Sequence, residues 1–498
     1  MILPTKILGV EMDRKSGILL HITSLPSKHG IGSLGKSAFE FIDFLKASGQ
    51  KLWQIFPIGP TGYGNSPYQT FSAFAGNPLF IDIDTLLQNG LLSQKEIENN
   101  IHFNSDKTDY QKVRKFKQKI FKNAFLNFSH TKDYNIFCTE NSWWLDDFAL
   151  FIAIKKHFNN VSWAEWDKDI KLRKNFAIEK YKSMLKTQID YEKFLQYIFF
   201  NQFAQVKEYA NKNGIQIIGD IPIFVGFDSA DAWSNPQIFL FDENLNPTFV
   251  AGVPPDAFSP TGQLWGNPLY NWQKLKQTDY KWWRDRFLHT LKSVDIIRLD
   301  HFLGFVNYWK IKAGEKTAEN GYWEDAPGEH FFATLKKYLG NIPIIAEDLG
   351  LITPKVTKLR EKFGFPGMKI LQFAFYGDDS NPYLPHNITE NFAVYTGTHD
   401  NETTVGWYKN LPENIRKRVN EYLHTDGKNI HQTLIKAAWD TKAKYALAPM
   451  QDFLGLDNSA RMNTPGTTGG NWQWRLNKKY LTESLSYFIK EITIKAMR

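Results

Sequence analysis

Five side chains have the type and spacing to do acid–base or nucleophilic chemistry: Asp220, Arg298, Asp300, Glu347 and Asp400. Arg298 and Asp300 end the apolar, β-branched run Asp295-Ile296-Ile297-Arg298-Leu299-Asp300-His301-Phe302, which reads as a buried strand. Alternation along a strand puts the two on one side, where a guanidinium keeps a neighbouring carboxylate ionised. Alone, the pair is equally well a structural ion pair at a strand end. Its neighbours break the tie. Asp220 lies in Gly219-Asp220-Ile221-Pro222, Glu347 in Ala346-Glu347-Asp348 and Asp400 in Gly397-Thr398-His399-Asp400-Asn401, each closing another apolar run. Acids gathered at neighbouring strand ends repel one another, and a shared function explains why they are kept together.

Carboxylates around one Arg, with no Cys/His ligand cluster and no phosphate loop, point to glycoside chemistry. That reaction needs one ionised and one protonated acid across a glycosidic bond. A divalent cation site is the competing reading, since Asp-rich sets also hold Mg²⁺ or Ca²⁺. The Arg inside the set and the aromatics around it argue against it.

The elements that must position these groups are eight strand-like runs: 17–25, 51–59, 215–225, 294–302, 343–350, 368–375, 392–400 and 445–454. Helical periodicity fills most gaps, as at 37–47, 191–213 and 353–363. Strand alternating with helix predicts an α/β fold, a (β/α)₈ TIM barrel with helical and irregular insertions between strands. A doubly wound sheet is the alternative, but no Gly-rich phosphate turn follows the first run. The whole chain, 1–498, reads as one catalytic barrel domain. Residues 80–205 read as an inserted, mainly helical subdomain, and 226–280 as an inserted active-site loop region rich in Pro, Gly, Asn and aromatics.

Bulk properties narrow the partners. The net charge of +8 is spread along 498 residues with no basic stripe, which argues against nucleic acid. The single cysteine, Cys138, forbids an intrachain disulfide and fits a reducing compartment. No leader or membrane-spanning run is seen, so the expected location is the cytoplasm. The aromatic share of 15%, with 16 Trp, exceeds what packing alone needs and suits stacking on sugar rings, although most of these side chains belong in the core.

At these residues the sequence closely resembles the 4-α-glucanotransferases (amylomaltases, or disproportionating enzymes) of the α-amylase clan, from about residue 17 to 474. The resemblance is carried by the strand-end motifs above and by Gly62-Tyr63-Gly64-Asn65-Ser66-Pro67-Tyr68-Gln69, Gly262-Gln263-Leu264-Trp265-Gly266-Asn267-Pro268-Leu269-Tyr270 and Gly469-Gly470-Asn471-Trp472. It implies Asp300 as nucleophile, Glu347 as general acid/base and Asp400 as the carboxylate that holds sugar hydroxyls. It also implies Asp220, Arg298 and His399 at the cleavage subsite, with Ser66 and Tyr68 near the donor sugar. Asp256, Gln263 and Trp265 would sit on a loop over the cleft, and Asn471 on a facing loop. At Phe375-Tyr376-Gly377-Asp378 the chain departs from the family pattern, so Tyr376 and Asp378 are left out of the site.

The activity so implied is transfer of α-1,4-glucan segments from a maltooligosaccharide to the 4-hydroxyl of another glucan or of glucose. It runs by retaining double displacement through a covalent glucosyl-enzyme, with no cofactor and no metal. A hydrolase of the same clan and a non-catalytic glucan-binding protein are the alternatives. The first differs in how well loops exclude water; the second would have lost one of the three carboxylates. Oligomeric state is not legible.

Overall fold

The computed structural model describes residues 14–98, 101–255, 259–350, 352–467 and 469–498. In chain order the strands are β1 (Lys15–Leu19), β2 (Leu52–Gln54), β3 (Gln216–Ile221), β4 (Phe249–Val253), β5 (Gln263–Pro268) and β6 (Ile296–Leu299). They continue with β7 (Asn307–Lys312), β8 (Gly321–Asp325), β9 (Ile344–Ala346), β10 (Gly367–Ile370), β11 (Phe392–Tyr395) and β12 (Tyr445–Pro449).

Eight of these form a parallel sheet in the order β10-β11-β12-β1-β2-β3-β6-β9. Each lies within one of the eight runs read from the sequence or reaches a residue or two beyond it, so the TIM-barrel expectation holds. The first and last strands of that order meet at a seam with no regular ladder. There the Ala346 N–H donates to Pro366 O at 2.8 Å and the Met368 N–H to Asp348 Oδ1 at 2.7 Å. Arg360 Nε, 3.1 Å from Asp348, balances that buried acid. Asp348 is thus a closure device, not a member of the catalytic cluster.

The strands form because both of their faces are covered. Leu52, Ile218, Ile296, Ile345, Met368 and Leu447 belong to one buried cluster and Ile217, Ile297, Leu299 and Ile344 to the larger one packed by the helices. Around β1 the fit is tight, since a Cβ at Gly17 would lie 2.3 Å from Leu52 O. The helix Lys36–Ala47 shows the matching logic: Ala38, Phe41, Ile42 and Leu45 repeat at helical spacing and are buried.

Between β2 and β3 the long helices are Tyr110–Leu126, Lys132–His157 and Lys186–Lys212. Asp109 and Thr131 cap the first two by accepting the N–H groups of Lys112 and Tyr134. Trp144 and Phe200 lock the last two helices together at 5.8 Å between ring centres.

A second sheet, antiparallel in the order β5-β4-β7-β8, is one the sequence reading did not foresee. Two of its strands come from 226–280, and the other two follow β6. It sets Gln263 and Trp265 over the ends of the barrel strands. Among the described residues no helix is long and apolar enough to cross a membrane.

Candidate active site

Register places the first three groups. Asp220 on β3 pairs with Arg298 on β6, and Asp300 follows two residues later. Arg298 Nη1 lies 2.6 Å from Asp220 Oδ2 and 2.9 Å from Asp300 Oδ1, so one guanidinium serves both acids. Tyr68 Oη donates to Asp220 Oδ2 at 2.7 Å, while Asp220 Oδ1 is buried with no hydrogen-bond partner. Burial opposes the charge on Arg298, but the two carboxylates outweigh it and hold the guanidinium protonated well above its ordinary range. Burial lifts Asp220 to about 6 against the pull of Arg298, which still leaves it ionised at neutral pH. Removing one partner of such a buried pair costs on the order of 3–5 kcal/mol.

Glu347 stands at the end of β9, beside β6. Its Oε2 accepts the His301 N–H at 2.7 Å and its Oε1 the Leu349 N–H at 3.1 Å. Its pKa rises from 4.5 to about 8; burial is the largest cause and the charge of Asp300 adds to it, against Arg298 and the two N–H donors. Burial is the larger effect, because a carboxylate loses its hydration before it feels any neighbour.

Asp400 behaves oppositely. Burial pushes it up, but His399, Asn463 and Arg298 together bring it down to about 2. His399 Nε2 lies 3.3 Å from its Oδ2, and Asn463 Nδ2 donates to Oδ1 at 2.6 Å. The His399 ring stacks on Tyr68 at 5.1 Å and meets Trp472 at 5.6 Å. Behind them Asp452 accepts from Thr396 Oγ1 and from the Thr404 N–H and hydroxyl, pinning both ends of the loop that carries Asp400.

Trp265 reaches this centre through His301, its indole edge-on to the imidazole at 4.9 Å. Gln263 is one step further out, its Oε1 accepting from Trp265 Nε1 at 3.2 Å. Ser66 Oγ accepts the Tyr68 N–H at 3.2 Å and so braces the tyrosine. The Asn471 amide is engaged within its own loop, with Thr464 and Thr467. Asp256 lies outside the described residues. Tyr376 is exposed, and Asp378 binds Ser380 in its own turn.

The structure thus brings together Tyr68, Asp220, Arg298, Asp300, Glu347, His399 and Asp400. It adds His301, Asn463 and Trp472, which were not picked as site residues. His301 had a signal, being the residue after Asp300; Trp472 ended a quoted motif; Asn463 had none.

What this arrangement can do is hold one carboxylate in an ion pair beside another that carries a proton. Residues 20–482 match the family model described as 4-alpha-glucanotransferase. The chain is 49% identical to the 4-alpha-glucanotransferase of Clostridium butyricum over 95% of this chain and 99% of that one. It is also 49% identical to the 4-alpha-glucanotransferase of Synechocystis, over 96% and 97% of the two chains. The amylomaltase from Streptococcus agalactiae in complex with acarbose superposes with a TM-score of 0.95 at 43% identity, covering 97% of this chain and 99% of that one. The chain belongs to the 4-alpha-glucanotransferase family, enzymes that act on α-1,4-glucans.

Proposed function

We propose that this chain moves α-1,4-glucan segments between maltooligosaccharides by a retaining double displacement, with Asp300 as nucleophile and Glu347 as general acid and then base. The observation that carries this reading is the split between two neighbouring acids. Asp300 is ion-paired with Arg298 at 2.9 Å, whereas Glu347 is half-buried, largely stripped of hydration and held up at about 8. One is therefore poised to attack an anomeric carbon and the other to give its proton to the leaving sugar.

Attack by Asp300 breaks the glycosidic bond, Glu347 protonates the departing 4-oxygen, and a glucosyl ester forms on Asp300. Glu347, now ionised, takes the proton of an incoming 4-hydroxyl as that oxygen displaces the ester. Two inversions preserve the α configuration. Asp400, kept ionised by His399 and Asn463, accepts hydroxyls of the distorted sugar, and the ring faces of Tyr68 and Trp472 bound its pocket. Trp265 closes over the acceptor side and disfavours water, so that another glucan, or glucose, takes the glycosyl group. The acarbose held by the Streptococcus agalactiae enzyme supports an α-glucan as the ligand here.

The test is turnover of maltotriose with products resolved by length. Asp300→Asn and Glu347→Gln each lose transfer by at least 10²-fold with the fold intact, since acid–base help alone is worth roughly 10²–10⁴-fold. Near-normal turnover by either variant overturns its assigned role.

A further inference from the structure

A separate depression lies outside the catalytic cluster, between the helices Lys132–His157 and Lys281–Ser293 and the loop that follows β2. Its volume is about 370 Å³, within the range of small-ligand sites. On its wall stands Trp143, 47% exposed, with its indole held perpendicular to Phe74 at 4.9 Å and to His289 at 6.1 Å. A tryptophan so anchored, yet open to solvent, presents a rigid apolar plate at little entropic cost.

The rim is polar and planar. Gln237 and Gln277 bring exposed amides, and Asp147 and Asp285 bring carboxylates. The carboxylates are already matched, Asp147 with Arg173 and Asp285 with Lys281, each at 2.6 Å. Lys274 adds an exposed cation and Asp231 a buried carboxyl that accepts the Ala73 N–H, so groups of both signs line the depression and neither sign dominates. An aromatic plate ringed by amide, ammonium and carboxylate hydrogen-bonding groups is the chemistry that recognises a neutral polyhydroxylated ring.

Position completes the argument. The helix Lys281–Ser293 runs back against the strands before β6, so its first turn sits at the catalytic end of the barrel. One loop also joins the two places: Tyr68 touches Asp220 in the active site, and Phe74 lines the depression. Six residues of chain span about 20 Å at most. The depression therefore lies within reach of a glucan whose other end occupies the catalytic cleft. We propose that it is an accessory α-glucan site, with Trp143 as its stacking platform, which holds the distal part of long chains. The proposal rests on the enzyme acting on α-1,4-glucans and not on the roles given to Asp300 and Glu347.

Trp143→Ala and Trp143→Phe test it, with maltotriose and long-chain amylose as alternative donors. On this proposal the three rings of maltotriose are taken up in the cleft, whereas amylose extends beyond it. Trp143→Ala is expected to raise KM for amylose roughly three- to tenfold, from the loss of one ring contact. Its kinetics on maltotriose stay at the wild-type values while the melting temperature falls only slightly, from the lost contacts to Phe74 and His289, and Trp143→Phe restores most of the amylose affinity. An unchanged KM for amylose overturns the proposal. So does a parallel fall on both donors with a lower melting temperature, which makes Trp143 a packing residue. Normal turnover of maltotriose by the variant keeps either failure distinct from a failure of the catalytic reading.

Discussion

The His301 N–H donates to Glu347 Oε2 at 2.7 Å, and it points there because His301 has a left-handed backbone, with φ 51°. The residue after Asp300 thereby holds Glu347, and its ring is the surface on which Trp265 rests. Asn tolerates this backbone region, whereas a β-branched residue there is strained by roughly 1–3 kcal/mol. His301→Asn is expected to stay within about tenfold of wild-type kcat. His301→Val falls well below that and also loses thermal stability. Equal activities for the two variants would show that placement of the N–H is not what matters.

Two perturbed acids set the pH dependence of kcat/KM on maltotriose. In its proposed role Glu347 must carry its proton, so activity is expected to decline as pH rises through about 8. Asp220 must be ionised to share Arg298 with Asp300, so activity also declines as pH falls through about 6. The expected profile is a bell with its top between these values. A rate that keeps rising through the alkaline range contradicts the role of Glu347.

The same shift acts on stability with a definite sign. In the unfolded chain Glu347 titrates near 4.5, and in the fold near 8. Below the first value it costs nothing; between the two the unfolded state alone releases the proton, and stability falls as pH rises. Glu347→Gln removes this penalty. Its melting temperature is expected to exceed the wild-type value at pH 8 and to match it at pH 4. Asp400 runs the other way, its contribution being present above 3.8 and lost as pH falls through about 2. Equal melting temperatures at the higher pH would falsify the desolvated, protonated state of Glu347.

Trp265→Ala separates transfer from hydrolysis. The side chain sits on β5 against His301, partly exposed, with no hydrogen bond to any of the three carboxylates. Losing it opens the acceptor side to water without touching Asp300. Redistribution of chain length should fall while the fraction of turnovers that yields new reducing ends rises. An unchanged ratio of the two reactions means that Trp265 only anchors the sheet.

Much of this was readable from the sequence, for a physical reason. β6 is β-branched and buried on both faces, so Ile296–Leu299 stood out as a strand, and the polar residues that follow it marked the end where chemistry sits. The antiparallel sheet was hidden because the first four residues of β5 are exposed or half-exposed and Gly266 sits at φ 76°, which erases the alternation that betrays a strand. Within the site, acids at strand ends were legible. The support for Asp400 was not, because Asn463 reaches it from 63 residues further along the chain. Nor is the cause of the Glu347 shift legible there: burial belongs to the fold and cannot be seen in a pair of neighbouring letters.

The glucosyl ester proposed on Asp300 is open to a direct trapping test. An α-maltosyl fluoride needs little help from an acid to lose fluoride, so Glu347→Gln can still form the ester but lacks the base that clears it. Intact-mass measurement of that variant after mixing with the fluoride is expected to show one added maltosyl group, and peptide mapping to place it on Asp300. Consumption of the fluoride with no adduct, or an adduct on any other residue, contradicts the double displacement at Asp300.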